Sequence, residues 1–207
     1  MATGNETSRT DVELLEAWDD GDSASGNALL ERYFDRLLVF FGPRSDPDVE
    51  DLVQRTMLAC VRARARLRNA SSFRAFLFTI AKNQLIDHLR RQRPMTDSAE
   101  VDELAAERTT PSQFAAGQED KAALSRALMT LELDLQIVVA LHYWEGMTQA
   151  ELTEILELPL GTVKSRLRRA KEGLRASLAA DTTPPRADAT LHSLGEWAAA
   201  LRDQQRT

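Results

Sequence analysis

The residues best suited to chemistry in this sequence are cations at helical spacing between positions 160 and 175. An apolar seam at i, i+4, i+7 and i+11 predicts that one side of this helix faces a core. The seam consists of Val163, Leu167, Ala170 and Leu174. The side chains outside it are polar and mostly basic, and they are Thr162, Lys164, Ser165, Arg166, Arg168, Arg169 and Lys171. Guanidinium and ammonium groups arranged in this way can hold DNA phosphates and donate hydrogen bonds to base edges in the major groove.

A short helix and a tight turn are predicted immediately before this basic helix. Thr148 and Glu151 have the spacing of a capping box, which begins a helix. Pro159 restricts the residue before it to an extended backbone, and Gly161 eases the turn that follows. Thr162 can then cap the second helix. This pattern predicts a helix-turn-helix whose second helix enters the major groove. The simpler alternative is an amphipathic hairpin with a solvated basic face.

A second group of cations precedes aromatic residues in the first half of the chain. Arginines alternate along residues 62–68, and three phenylalanines, Phe73, Phe76 and Phe78, follow the break at 69–72. Binding of single-stranded DNA needs cations along the backbone and a pocket for an unstacked base. The Asn83 amide offers both a donor and an acceptor for such a base. The alternative is that the phenylalanines are core residues, most clearly Phe76, and that Asn83 is an ordinary surface residue.

The elements that must position these residues are predicted to be helices, because apolar residues recur at helical spacing and no alternating strand pattern is found. The segment 42–48, GPRSDPD, is expected to be a loop because of its glycine and prolines. Asp134 is expected to cap a helix that ends at Glu145, where Gly146 stops it.

We therefore predict an all-α protein with two small helical domains, at 11–94 and 119–178, of which the second contains the helix-turn-helix. The acidic segment 95–118 lacks periodicity and is expected to be a flexible linker. Residues 179–207 form a C-terminal extension to which the sequence assigns no role.

Composition excludes several classes of function. The net charge is −6, so the cations form local basic blocks in a chain that is acidic as a whole. The single cysteine, Cys60, permits neither a disulfide framework nor a cysteine-based zinc site. The histidines lack metal-ligand spacing, and no phosphate-binding glycine loop is present. We therefore predict no enzyme activity, no metal and no cofactor. The sequence also shows no signal-peptide core and no membrane span, which predicts a cytoplasmic protein.

Two parts of the chain resemble, in order and spacing, the modules of extracytoplasmic-function (ECF) RNA polymerase sigma factors. MTQAELTEIL at 147–156 and LGTVKSRLRRA at 160–170 resemble region 4 of that group, and LHYWEG at 141–146 fits the helix that leads into it. ALLERYF, DVEDLVQRTMLACVRARARL and SSFRAFLFTIAKNQLIDHLRRQR resemble region 2. The resemblance covers roughly residues 11–94 and 119–178, and two matches in the right order are more specific than either alone.

The resemblance implies a bacterial transcription initiation factor that binds core RNA polymerase, recognises promoter elements and promotes DNA opening. Region 4 would read the minus-thirty-five element as duplex through the outward residues of the basic helix. Region 2 would receive the minus-ten element through Arg66, Arg68, Asn69, Ser71, Ser72 and Asn83. A further surface would dock on the polymerase clamp through Asp48, Asp51, Gln54 and Arg55. An anti-sigma factor is a further partner that the resemblance implies.

The sequence departs from the pattern of that group at two positions. Glu157 stands where many members have glycine, and a positive φ there would cost about 1 kcal/mol unless the turn is built differently. Arg55 replaces a common glutamate. Two rival classes stay open: a stand-alone helix-turn-helix regulator, which would not need the arginine-rich loop, and a recombinase-like enzyme, which would need an α/β catalytic half.

Overall fold

The structure is a computed structural model that describes residues 9–45, 47–64, 67, 73–92 and 119–181. Within these ranges the regular elements are helices, and none of the described residues forms a strand. The chain divides into two compact units, the first within residues 1–41 and 47–92 and the second within 42–46 and 93–207. The prediction of an all-α protein is therefore confirmed, while the predicted linker at 95–118 and the extension beyond 181 lie outside the described residues.

Four helices run through the first unit. They are α1 (Asp11–Asp19), α2 (Ser23–Ser45), α3 (Val49–Ala63) and α4 (Phe73–Gln92). Helices α3 and α4 pack against each other, and aromatic rings from α2 and α4 fill the core. The Tyr33 ring meets the Phe73 and Phe78 rings edge-on, with centroids 5.5 and 6.5 Å apart. All three side chains are buried, so these ring contacts anchor α4 against α2 in the core.

Helix α1 is held on α2 by polar contacts and by one close approach. Thr10 and Glu13 form a capping box that begins α1. The Asp11 carboxylate then accepts hydrogen bonds from the Tyr33 hydroxyl and, at 2.5 Å, from the Arg32 guanidinium. A Cβ atom at position 26 would lie 2.5 Å from the Trp18 indole. Only glycine at this position of α2 lets the indole lie flat against the helix.

The second unit is built around its last helix. Its elements are α5 (Glu119–Met129), α6 (Leu133–Val139), a π-helical turn (Ala140–Trp144), α7 (Gln149–Leu156) and α8 (Leu160–Asp181). Helix α8 packs against α5, α6 and α7. The predicted apolar seam of α8 is confirmed, because its four side chains are between 0 and 6% exposed. Burial of this seam fixes which side of α8 faces solvent.

Three local predictions are wrong. Helix α2 continues to Ser45 rather than stopping before Gly42, because burial of Phe40 and Phe41 holds its last turns in the core. Helix α6 has its N-cap at Glu132, so Asp134 lies inside the first turn. Helix α8 begins at Leu160, and the amide of Thr162 already donates to the Pro159 carbonyl at 2.9 Å. Thr162 is therefore not the cap of α8.

The first helix of the helix-turn-helix begins and ends as the sequence requires. The Glu151 amide donates to Thr148 Oγ1 at 3.2 Å, and the Thr148 amide donates to Glu151 Oε2 at 2.8 Å. This reciprocal pair confirms the predicted capping box. At the other end, Glu157 adopts φ 55° and ψ 42°, which is left-handed backbone. The turn therefore has the geometry that favours glycine, but glutamate occupies it.

Replacing Glu157 by glycine is expected to raise the free energy of unfolding by about 1 kcal/mol, because glycine adopts left-handed backbone without the Cβ clash of other residues. Urea denaturation of the full chain followed by circular dichroism measures the change. Glu154→Gly is the matched control, since the same substitution inside α7 should lower stability by about 1 kcal/mol. Equal losses from both substitutions would contradict the assigned strain.

Candidate nucleic-acid interface

The solvent side of α8 carries the cations that the sequence placed there. Thr162 and Arg166 are half-buried, while the remaining predicted residues are exposed: Lys164, Ser165, Arg168, Arg169 and Lys171. They begin in the first turn of α8, which is the part of a recognition helix that reaches base edges. We call these seven residues the basic face of α8. Its side chains can donate to phosphates and bases, and the seam beneath it keeps the helix in register.

Three arginines of this face are ion-paired within the second unit. Arg166 Nη2 lies 2.6 Å from Asp134 Oδ2. Arg169 Nη2 donates to both oxygens of Glu132, at 3.0 and 3.2 Å. Arg168 is paired along α8 itself, with Glu172, at 2.8 Å. The sequence reading missed the first two pairs, since their partners are more than thirty residues away.

The basic face also contacts an aromatic ring from the π-helical turn. The Lys171 ammonium lies 5.9 Å from the centroid of the Tyr143 ring, within range of a cation–π contact. The turn itself is held by His142, whose Nδ1 lies 2.7 Å from the Met147 carbonyl oxygen. The segment LHYWEG thus supports one edge of the face.

The candidate single-strand site of the first unit lies on α4. Asn83 is exposed, as a base-binding amide must be. Phe73 and Phe78, which the sequence left open between core and site, are core residues. Phe76, for which a core position was favoured, is only half-buried. Phe76, half-buried Ile80 and Asn83 follow the spacing i, i+4 and i+7, so they share one face of α4. Apolar side chains therefore lie on the same face of α4 as the Asn83 amide.

The arginine-rich segment before α4 is described only in part. Arg64 has a structural role, since its guanidinium lies 4.7 Å from the Trp18 ring centroid and donates to the Trp18 carbonyl at 3.3 Å. The other predicted residues of this site lie outside the described residues; they are Arg66, Arg68, Asn69, Ser71 and Ser72.

The residues predicted to contact polymerase lie along α3. Asp51 and Arg55 form an exposed pair at 2.7 Å, one turn apart, and Gln54 is exposed beside them. Asp48 is more constrained, because it accepts a hydrogen bond from Gln92 at 3.1 Å and lies 3.5 Å from His88 Nε2. The first three residues are thus available to a partner, and Asp48 ties the start of α3 to the end of α4.

An apolar extension of this surface was missed by the sequence reading. Leu58 and Val61 are 55 and 40% exposed on the outer side of α3. Phe34, 40% exposed on α2, borders a groove of about 340 Å³. The groove is lined by Asn27, Leu30, Glu31, Phe34, Asp35 and Met57. Exposed apolar side chains rimmed by polar residues are typical of interaction surfaces. The position of Leu58 on this side of α3 could have been predicted, because Asp51, Gln54 and Leu58 follow helical spacing.

Groups that could support other chemistry are few. Cys60 is fully buried, and burial raises the pKa of its thiol to about 12, so the thiol stays protonated and unreactive at neutral pH. No cluster of metal-binding side chains occurs among the residues that the structure describes. None of the described helices combines the length and apolarity that crossing a bilayer requires.

Comparison with protein families matches both units separately. The family model of Sigma-70 region 2 matches residues 29–94, and the model of Sigma-70, region 4 matches residues 121–174. The first match contains α3, α4 and Asn83, and the second contains the basic face of α8. Both candidate surfaces therefore lie inside matched segments.

Curated relatives and a solved structure extend the similarity over most of the chain. The chain is 29% identical over 178 residues to the ECF RNA polymerase sigma-E factor of Escherichia coli (strain K12), covering 80% of this chain and 92% of that protein. The Haemophilus influenzae protein of the same description is 29% identical over 176 residues, covering 79% and 92%. The solved "Structure of CnrH in complex with the cytosolic domain of CnrY" has a TM-score of 0.63 and 26% identity, and covers 83% of this chain and 99% of that one.

Proposed function

Because this chain belongs to the ECF group of RNA polymerase sigma factors, we propose that its three surfaces divide the steps of promoter recognition between them. As a sigma factor it is a transcription initiation factor, and this family is not a class of enzymes. The chain would accordingly contribute binding energy and no catalytic group. Its place of action would be the bacterial cytoplasm, where polymerase and promoters are found.

The proposal depends most on one observation, which is that a single chain contains both candidate DNA-binding surfaces. A region 2 segment with an exposed amide on α4 precedes a region 4 segment with a cationic recognition helix. A stand-alone helix-turn-helix regulator would account for the second surface but leaves region 2 without a role. A recombinase would need a catalytic half, and the match of residues 29–94 to region 2 argues against one there.

In region 4, the basic face of α8 would read the minus-thirty-five element as duplex DNA. Lys164, Ser165, Arg168 and Arg169 would face bases. Arginine can bond guanine O6 and N7 together, which gives sequence preference. Thr162, Arg166 and Lys171 would contact the backbone, because they lie at the flanks of the face.

In region 2, the end of the minus-ten element would be held as single-stranded DNA. Asn83 would bond to a flipped base. Phe76 and Ile80 would form the apolar surface of α4 beside that base. Asn69, Ser71 and Ser72 would bond the strand, and Arg66 and Arg68 would follow its phosphates.

Asn83→Ala is expected to impair promoter opening and minus-ten discrimination while binding to core polymerase survives. The amide is exposed on α4, whereas the residues proposed to bind polymerase belong to α3, so its removal deletes base contacts without disturbing the core. Permanganate footprinting of promoter DNA by the assembled polymerase measures opening, and competition between minus-ten variants measures discrimination. Gln84→Ala, one residue along the same helix, is the matched control. An unchanged order of preference in Asn83→Ala would remove this residue from the site.

The outer side of α3 would dock on the clamp of core polymerase. Asp51, Gln54 and Arg55 would supply the polar contacts, and Asp48 would fix the beginning of the helix. Leu58 and Val61 continue the same side, so a desolvated apolar centre with a polar rim would form on binding.

The acidic linker at 95–118 would thread through polymerase channels that later hold RNA. An anti-sigma factor would be a further, regulatory partner. In support, the similar CnrH was solved in complex with a second protein, the cytosolic domain of CnrY.

One experiment separates the proposed function from its rivals. The tagged chain is used to recover core polymerase, and the DNA bound to the assembled complex is sequenced. A sigma factor yields promoters that share two elements at constant spacing, and their transcription requires the added chain. Recovery of DNA without polymerase would favour the stand-alone regulator, and strand cleavage or joining would favour the enzyme.

A further inference from the structure

Three carboxylates pair with arginines of the basic face of α8, where they would hinder the DNA binding proposed for it. Glu132 and Asp134 stand at the start of α6, and each takes up one arginine of the recognition helix. Glu172 does the same for Arg168 from within α8. Among the residues that the structure describes, the exposed ammonium of Lys164 forms no such pair. The three arginines are thus paired with carboxylates in the free chain, although the planar guanidinium of arginine can bond guanine and phosphate through two donors at once.

In the part of the chain that the structure describes, the Glu132 carboxylate bonds only to Arg169, whereas Asp134 also lies in the first turn of α6, where a carboxylate favours the helix dipole. Glu132 occupies the N-cap of α6, but its side chain makes no capping hydrogen bond. The pairs are also partly exposed: Arg169 and Glu132 are 52 and 40% exposed. Exposed pairs add little to folding stability, so a structural role does not account for their arrangement. A carboxylate on a guanidinium occupies the place that a DNA phosphate or a guanine edge would take.

We propose that Glu132, with Asp134, masks the recognition helix: its carboxylate competes with DNA for Arg169 and lowers the affinity of region 4 for any duplex. This inference rests on the proposed function and adds a regulation of the same site. Arg169 must leave Glu132 before it can contact DNA. This cost is the same for every sequence, so the mask reduces binding without altering preference.

The test is a fluorescence-anisotropy titration of a short mixed-sequence duplex with the free full-length chain at several salt concentrations. Glu132→Gln keeps the shape of the side chain and removes its charge. It should tighten binding about two- to fivefold, which is the range that exposed ion pairs span. On this mixed-sequence duplex the freed Arg169 would contact a phosphate rather than a specific base, so the slope of log affinity against log salt should steepen by about 0.9 as one more counterion is released.

Glu154→Gln is the matched control, since it removes one exposed carboxylate from the same unit without releasing an arginine. It should change the affinity by less than half as much as Glu132→Gln. Equal effects of the two substitutions would mean that net charge alone matters, and would overturn the proposal. Weaker or unchanged binding by Glu132→Gln would overturn it as well.

A double-mutant cycle separates this proposal from the proposed function on which it rests. Arg169→Ala alone should weaken binding, and adding Glu132→Gln to it should restore little. If Arg169→Ala leaves the affinity unchanged, the basic face is not the DNA surface and both proposals fail. If Arg169→Ala weakens binding but the gain from Glu132→Gln persists in the double variant, only the mask is wrong.

Discussion

Replacing Leu58 by aspartate is expected to weaken binding to core polymerase by at least 2 kcal/mol, roughly thirtyfold, because central apolar contacts dominate interface energetics. The leucine is 55% exposed and projects from the outer side of α3, in line with Asp51 and Gln54. Docking would bury it, and an aspartate there would be desolvated without a partner. The position is exposed in the free chain, so folding should be unaffected.

Two substitutions at the same position control this result. Leu58→Met keeps an apolar side chain of similar volume and should bind core polymerase nearly as the unmodified chain does. Leu58→Ala should fall between the two. Affinity is measured by displacement of a labelled chain from core polymerase, and circular dichroism checks the helical content. Normal affinity in a folded Leu58→Asp variant would place the polymerase surface elsewhere.

Replacing Arg169 by alanine is expected to weaken recognition of the minus-thirty-five element by about 1–3 kcal/mol, the range for a bidentate base contact. Arg169 is exposed on the basic face of α8. Its long side chain would leave Glu132 and bond to a base edge instead. The quantity to measure is the affinity of the assembled polymerase for promoters with a normal and an altered minus-thirty-five element. The ratio of the two affinities should fall.

Arg169→Lys distinguishes base reading from phosphate contact. Lysine keeps the charge but lacks the fork that bonds guanine twice, so it should restore the absolute affinity more than the preference. Full recovery of preference by lysine would show that a positive charge at this position suffices and that the two parallel bonds of the guanidinium are not what reads the base. An unchanged ratio in Arg169→Ala would exclude it from base reading altogether.

Local rules predicted much of the second unit because its helix signals act over short distances. The capping box of Thr148 and Glu151 needs only neighbours within one turn, and the structure forms it as expected. The seam of α8 follows from helical periodicity alone. Even the left-handed backbone of Glu157 could be anticipated, because the turn has a fixed length and glycine is the usual residue in it.

Contacts between distant segments account for what the sequence reading missed. Phe73, Phe76 and Phe78 are the same residue type on one helix, and the positions of the α2 rings Tyr33 and Phe40 decide that the first and last are core. The end of α2 is likewise decided by burial of Phe40 and Phe41 rather than by Gly42. The pairing of Arg169 with Glu132 spans 37 positions, and no periodicity in either helix indicates it.

We propose that this chain recognises promoters only as part of RNA polymerase. A net charge of −6 and the pairing of three arginines with carboxylates would both oppose binding of DNA by the free chain. Two modules joined by a linker also gain little from acting together until their spacing is fixed, and polymerase would fix it.

The most direct test is a titration of one promoter fragment at physiological salt with the chain alone, with core polymerase alone and with both together. We expect tight, sequence-specific binding and strand opening only in the third case. Tight and specific binding by the chain alone would contradict it and would identify a stand-alone regulator instead.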